Sequence, residues 1–337
     1  MICRRGTAAV LVLALGGCDT VQTSLGGQAA DSADFIGLFK IFLAVTAFFY
    51  LLVIAGLIAA LVRRRSSAAH VAERGEHHVQ NPVLRLGLIV WSALIAVTLL
   101  GLSLASFFTD RSMAASAAHP GVEIMVTGNQ WWWDVEYVSP TASQRFRTAN
   151  EIHLPVGVPA RIQLKSNDVI HSLWIPNLAG KQDLIPGRDT DLSVLPRKIG
   201  LYRAQCAEFC GAQHAHMALD VTVESKADFE RWWAAQLRPA AAPRTPEQLA
   251  GLGYISTREC ATCHAISGTP ASATFGPDLT HFASRRSIAA GTLPMNTGNL
   301  YGWVADPQSQ KPGTKMPTVG LEPAELHAVV AYLETLK

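Results

Sequence analysis

Charge is scarce in this 337-residue chain: Asp, Glu, Lys and Arg make up 16% of it against 49% hydrophobic residues, and the formal net charge is only +2. A folded nucleic-acid binder would concentrate Lys and Arg on one face, and no candidate globular segment does so. The densest basic cluster, Arg63-Arg64-Arg65, ends an apolar run and reads as a membrane-topology signal. Cysteine is scarce as well. Of the six, Cys3 falls in a leader-like stretch, Cys18 follows small residues, and Cys206/Cys210 and Cys260/Cys263 form two close pairs, which leaves none for a separate structural bridge. No nucleophile, general base and open cleft can be assembled from the sequence, so no catalytic residue is assigned.

Residues 1–17 have the layout of a secretory leader: Arg4 and Arg5, an apolar stretch to Leu15, then Gly16-Gly17. Small residues directly before Cys18 resemble a lipoprotein processing box, with Cys18 the lipidated residue; the alternative is an ordinary leader with an incidental cysteine. Two uncharged runs follow, Ile41 to Val62 with 22 residues and Leu86 to Phe108 with 23. At 1.5 Å per helical residue each spans a hydrocarbon core of about 30 Å, and residues 35–108 are expected to form a transmembrane helix hairpin. Five arginines in residues 63–85 place the connecting loop in the cytoplasm, so both ends of the hairpin emerge on the outer side.

Beyond a small-residue linker the period changes from helix to strand. Val122, Ile124 and Val126 alternate with more polar positions, as do Ile152 and Leu154, Ile162 and Leu164, and Leu219, Val221 and Val223. Pro155, Gly157 and Pro159 punctuate the text as a turn. Residues 120–224 are therefore expected to form an all-β Greek-key sandwich or barrel. Residues 225–248 read as a short helix followed by a Pro/Ala-rich tether that would let the next segment swing. Residues 249–337 form a small module ending in a helix opened by Pro323, with Leu326, Val329, Val330 and Leu333 as its apolar face. So small a module needs help to build a core, and a buried porphyrin would supply it.

Two constellations carry chemistry. Cys206, Cys210, His214 and Met217 lie within twelve residues. Thiolates and imidazole suit copper or zinc, and a thioether favours copper used for electron transfer. Two cysteines allow two copper ions to share bridging thiolates; a plain Cys206–Cys210 disulfide is the alternative. His171, alone in an apolar run, is the natural additional imidazole. The second constellation, Cys260-Ala-Thr-Cys263-His264, is the attachment signature of a c-type haem, with thioether bonds at both cysteines and His264 on the iron. The sixth ligand is expected from a methionine or histidine well downstream; Lys315-Met316-Pro317, preceded by Lys311-Pro-Gly313-Thr, resembles the axial methionine segment of class I cytochromes c, and Met295 competes for that place. Three consecutive tryptophans, Trp131 to Trp133, cannot all face one core because strand side chains alternate. At least one must meet something outside the domain, either a membrane interface or a redox partner.

Residues 128–133, 166–176, 180–188 and the Cys206–Met217 loop resemble subunit II of haem–copper cytochrome c oxidases. A class I cytochrome c domain fused behind it resembles the caa-type members. The resemblance implies a cupredoxin fold followed by an all-α class I cytochrome c domain. It also implies a dinuclear copper centre held by His171, Cys206, Cys210, His214, Met217 and the backbone carbonyl of Glu208. The Glu208 side chain would face magnesium at the contact with subunit I, and electrons would reach copper through Trp131. His216 matches no ligand. The sequence departs from the family at the second membrane helix, where Gly87 to Val90 precede Trp91-Ser92 and the usual acidic residue is missing.

The expected function is electron transfer from haem c to dinuclear copper and on to a haem of subunit I, where oxygen is reduced to water with proton pumping. Subunits I and III would be partners, and a cytochrome c or a quinol–cytochrome c reductase complex the donor. The chain would be a two-pass protein of the bacterial inner membrane with both redox domains in the periplasm. The alternatives are a redox subunit of a nitric oxide-reducing complex, and a membrane-anchored carrier or sensor without an oxidase partner.

Overall fold

The computed structural model describes residues 21–67, 82–116 and 120–337. The leader, Cys18, and residues 68–81 of the loop between the apolar runs lie outside the described residues. The chain divides into two units, residues 33–115 and the remainder.

The first unit is a pair of helices, α1 (Ala30–Ser67) and α2 (Pro82–Ser116), both longer than the uncharged runs at their centres. Each is long and apolar enough to cross a membrane. Their Leu, Ile, Val and Phe side chains are mostly exposed, which suits helices solvated by lipid rather than packed in a protein core. Phe49 of α1 meets Trp91 of α2 edge-to-face at 5.4 Å.

The second unit begins with two stacked five-stranded sheets. The strands are β1 (Val122–Asn129), β2 (Trp132–Val138), β3 (Phe146–Ala149), β4 (Glu151–Pro155), β5 (Ala160–Ser166), β6 (His171–Trp174), β7 (Gln182–Leu184), β8 (Thr190–Val194), β9 (Gly200–Cys206) and β10 (Ala218–Glu224). One sheet runs β3-β2-β1-β5-β8 and the other β4-β10-β9-β6-β7. The alternating residues read from the sequence point inward: Ile124, Val126, Ile152, Leu154, Ile162, Leu164, Leu219 and Val221 are fully buried between the sheets. The result is a cupredoxin-like sandwich. Strands β3, β7 and β9 were not read from the sequence; β3 and β7 are short sheet edges, where packing makes weaker demands, whereas β9 does bury alternate residues, Tyr202, Ala204 and Cys206. Residues 21–32 run over the sandwich, with the Ala30 amide donating to Leu195 and the Arg197 amide to Gln28.

Helix α3 (Lys226–Gln236) is capped by Ser225, whose hydroxyl accepts the Asp228 amide. It closes one end of the sandwich with Phe229, Trp232 and Trp233 against Tyr137 and Phe146. The segment after it is not a free tether. The Ala240 amide donates to Ser267, and the Arg238 carbonyl accepts from His281. The tether expected from its proline content is thus bound to the module it connects, because its backbone groups find partners there.

The C-terminal module is α-helical: α4 (Pro246–Thr257), the short α5 (Cys260–Cys263), α6 (Thr297–Ala305), α7 (Pro307–Gln310) and α8 (Pro323–Leu333). Thr245 caps α4, and Pro246 opens it. Helices α4 and α8 pack at Gly251, where an added Cβ would lie 2.0 Å from the Ala328 carbonyl oxygen.

Candidate metal and haem sites

Strands β6 and β9 are neighbours in one sheet, and their register pairs Leu173 with Cys206. That pairing brings His171, at the start of β6, against the end of β9, where the cysteine loop begins. The donor atoms of His171, Cys206 and Cys210 all lie within 4.8 Å of one another, and all three residues are buried. Both cysteines are free thiols, with their sulfurs 3.7 Å apart. Each sulfur has its own imidazole. His171 Nδ1 is 3.9 Å from Cys206 Sγ and His214 Nδ1 is 3.6 Å from Cys210 Sγ. Met217 Sδ, fully buried, lies 3.8 Å from Cys210 Sγ, and the Glu208 carbonyl oxygen lies 3.1 Å from Cys206 Sγ. Two central sulfurs flanked by two imidazoles, a thioether and a carbonyl form a donor set suited to soft or borderline metals, copper above all. The Glu208 side chain turns away from this cluster to Lys181, 3.8 Å distant.

The electrostatics favour one thiolate over the other. The hydrogen bond from Cys210 pulls the Cys206 thiol far below its ordinary value, and the same contact pushes Cys210 up. One thiolate therefore forms readily at neutral pH. Asp168 accepts from His171 Nε2 at 2.8 Å, leaving Nδ1 to face the sulfurs. Burial works to raise the Asp168 carboxyl, but hydrogen bonds from His171 and from the Gln130 and Val169 amides prevail and hold it below the usual range. Gly128 is required by close approach, since a Cβ there would lie 2.8 Å from the His171 ring.

The haem attachment residues lie around a cavity of about 360 Å³. Cys260, Cys263 and His264 line it, with Met316 from the segment after α7. Met295 is not among the lining residues; it packs against the module's core instead. His264 Nδ1 is 2.7 Å from the Pro277 carbonyl oxygen, so it donates its proton there and leaves Nε2 as the lone-pair nitrogen. Gly276 permits this closeness, because a Cβ would lie 2.9 Å from the His264 ring. The remaining wall is largely apolar, including Phe275, Leu279, Phe282 and Trp303. Two thiols, an imidazole and a thioether around an apolar cavity suit a covalently attached haem.

The sandwich closes this cavity. Gln130, Trp131, Trp132 and Asn150 contribute to its wall. Of the three tryptophans, Trp133 is fully buried in the sandwich core, whereas Trp131 and Trp132 are half-buried against the module. The outward face thus meets the C-terminal module. Trp131 Nε1 donates to the Cys210 carbonyl at 2.9 Å, and Gln130 Nε2 donates to the same oxygen at 2.7 Å. Gly211, at φ +113°, turns the loop there and leaves room for the indole.

Three residues of this region were not singled out from the sequence. Asp168 lies within residues 166–176 with no role assigned to it from the sequence, and an acidic residue three positions before a histidine is its only local signal. Gln213 lay in the cysteine loop, and its amide donates to the Pro312 carbonyl at 2.8 Å. Lys311 carries no assigned role in the sequence, yet it is 2% exposed. Burial pushes its pKa down, to about 7, while its ammonium donates hydrogen bonds to three backbone carbonyls.

Comparison with known proteins agrees with this architecture. Residues 138–225 match the family described as cytochrome c oxidase subunit II, periplasmic domain, and residues 253–337 match cytochrome c. Cytochrome c oxidase subunit 2 of Alkalihalophilus pseudofirmus is 31% identical over 255 residues, covering 74% of this chain and 72% of that protein. The corresponding protein of a Bacillus species, strain PS3, is 30% identical over 268 residues, covering 74% of each. Among solved structures, the periplasmic domain of subunit II of cytochrome oxidase from Bradyrhizobium japonicum is 29% identical. It covers 36% of this chain and 96% of that one, with a TM-score of 0.33.

Proposed function

Because the chain belongs to the cytochrome c oxidase subunit 2 family, we propose that it relays electrons from a covalent haem c to a dinuclear copper centre and on to a haem of subunit I. Oxygen is reduced to water there, coupled to proton pumping. One observation carries this reading: Trp131 lines the haem cavity and its indole is hydrogen-bonded to the carbonyl of Cys210 in the metal cluster. A single side chain joins the two sites.

Copper and haem iron each cycle between two oxidation states when bound, which supplies the one-electron chemistry. The chain's own residues do the rest. Cys206 and Cys210, with His171, His214, Met217 and the Glu208 carbonyl, would hold the copper centre. Asp168 fixes the His171 tautomer. Cys260 and Cys263 would attach the porphyrin, His264 and Met316 would face its iron, and Trp131 would stand between the two sites. The exposed carboxylate of Glu208 takes magnesium at the contact with subunit I, and Phe209 beside it, three-quarters exposed, belongs to the same contact. Subunit III completes the complex, and a cytochrome c or quinol–cytochrome c reductase complex is the donor. The two apolar helices anchor the chain in a bacterial inner membrane with both redox domains in the periplasm.

The test is metal and optical analysis of the complex purified in mild detergent. Two copper ions in a mixed-valence electron paramagnetic resonance signal and one covalent haem per chain are expected, with oxygen consumed in turnover. A haem without copper, with Cys206 and Cys210 joined as a disulfide, would overturn the copper relay. Turnover of nitric oxide in place of oxygen would reassign the partner.

A further inference from the structure

The haem module is seated on the sandwich by a buried polar lock. Lys311 Nζ donates to the carbonyls of Trp131 at 2.8 Å, His216 at 2.7 Å and Ala289 at 2.8 Å. An ammonium has three protons, and all three are used. Two of the acceptors belong to the sandwich and one to the module that carries Lys311. One of them is the backbone of the very tryptophan that lines the haem cavity, and another is the residue before Met217.

A buried ammonium is costly unless every proton finds an acceptor, and these acceptors converge only in one relative placement of the two domains. Other contacts repeat the pattern around the cavity. Next to Lys311, the Pro312 carbonyl accepts from Gln213, and Lys315 pairs with Asp168 at 3.1 Å. On the far side the Ala218 amide donates to the Ala290 carbonyl at 3.0 Å, and the buried Arg285 and Glu151 lie 3.6 Å apart. A module sampling many poses at the end of a tether would leave such groups to water.

Resting on the electron-relay reading above, we propose that Lys311 is the positioning residue that holds the haem module in one pose, with the haem cavity fixed against Trp131. Electron transfer to copper then proceeds within a standing complex and needs no docking event. The haem and copper would supply the one-electron chemistry when bound, and no bond is made or broken at Lys311. The tether's role is covalent attachment, not delivery.

The test uses the complete oxidase complex with Lys311→Met, which keeps the length of the side chain and removes the ammonium. Pulsed dipolar electron paramagnetic resonance reads the distance between the oxidised haem and copper spins. The native protein is expected to give one narrow distance and Lys311→Met a broad distribution, while the separate haem and copper spectra stay unchanged. Haem-to-copper transfer after flash reduction should slow by about tenfold or more, as misplacement of redox partners implies. A second variant leaves the interface intact: a Gly/Ser insertion between Ala241 and Ala242. A standing complex keeps its native distance and transfer rate despite the longer tether. The proposal is overturned by a native distance and rate in Lys311→Met, by a broad distribution in the native protein, or by slowed transfer in the insertion variant. Absence of a copper spin altogether would overturn the electron-relay reading itself, an outcome distinct from all three.

Discussion

The indole of Trp131 donates its N–H to the carbonyl oxygen of Cys210 at 2.9 Å, across a sequence separation of 79 residues. A residue of the haem cavity is thereby tied to the backbone of a metal-cluster cysteine. The hydrogen bond fixes the indole plane against the cysteine loop.

Replacing Trp131 by Phe keeps an aromatic ring in the cavity wall and removes that donor. One lost hydrogen bond costs about 1 kcal/mol of stability, too little to unfold the domain. The copper spectrum should be unchanged. Haem-to-copper transfer, followed after flash reduction, should slow by about tenfold, equivalent to about 1.4 kcal/mol. Transfer at the native rate would remove Trp131 from the route.

Asp168 holds the His171 ring by its Nε2 at 2.8 Å. Partners of this kind orient ligands and raise their basicity, and losing one typically costs about 10–100-fold in metal affinity. Asp168→Asn should therefore release copper to a chelator at a correspondingly lower concentration, with haem content unaltered. Equal affinity in the variant would show that His171 needs no orientation.

His153 stacks on Trp232 at 4.1 Å, with Nδ1 2.8 Å from Glu224 and Nε2 3.8 Å from Glu151. Burial alone would lower its proton affinity, but the two carboxylates outweigh burial and raise it from 6.5 to about 9. A group with a raised folded-state value stabilises fully below its unfolded value and loses that contribution as pH climbs through the folded one. The apparent Tm of the detergent-solubilised chain should thus decline between about pH 6.5 and pH 9, reflecting a loss of about 3 kcal/mol at most. His153→Gln should flatten that decline. A slope that survives the substitution would assign it to other groups.

At Gly251 the α4 and α8 backbones approach so closely that a Cβ would meet the Ala328 carbonyl at 2.0 Å. Gly251→Ala must push the helices apart, an overpacking cost of about 1–3 kcal/mol. Lower haem retention on heating is expected, with the copper signal retained because the sandwich core is separate. Unchanged thermal behaviour would mean that the helices separate freely.

Much of this molecule was determined by its sequence alone, wherever the deciding residues are close together in the chain. The Cys206–Met217 loop and the Cys260–His264 signature are local, and their ligand chemistry is readable without coordinates. The apolar runs that became α1 and α2, and the period-two alternation that became the sandwich core, follow from the length of the runs and from side-chain alternation. Tertiary structure decided what depends on long separations. It chose which tryptophan of three faces the core and which two face the haem cavity, because that follows from strand register. It brought the Trp131 indole to the Cys210 carbonyl across 79 residues, and Lys311 to the Trp131 carbonyl across 180 residues. A lysine in a loop looks solvated in sequence because nothing nearby in the chain can accept its protons. Only the docking of two domains supplies three carbonyls at once, and with them the seat of the haem module.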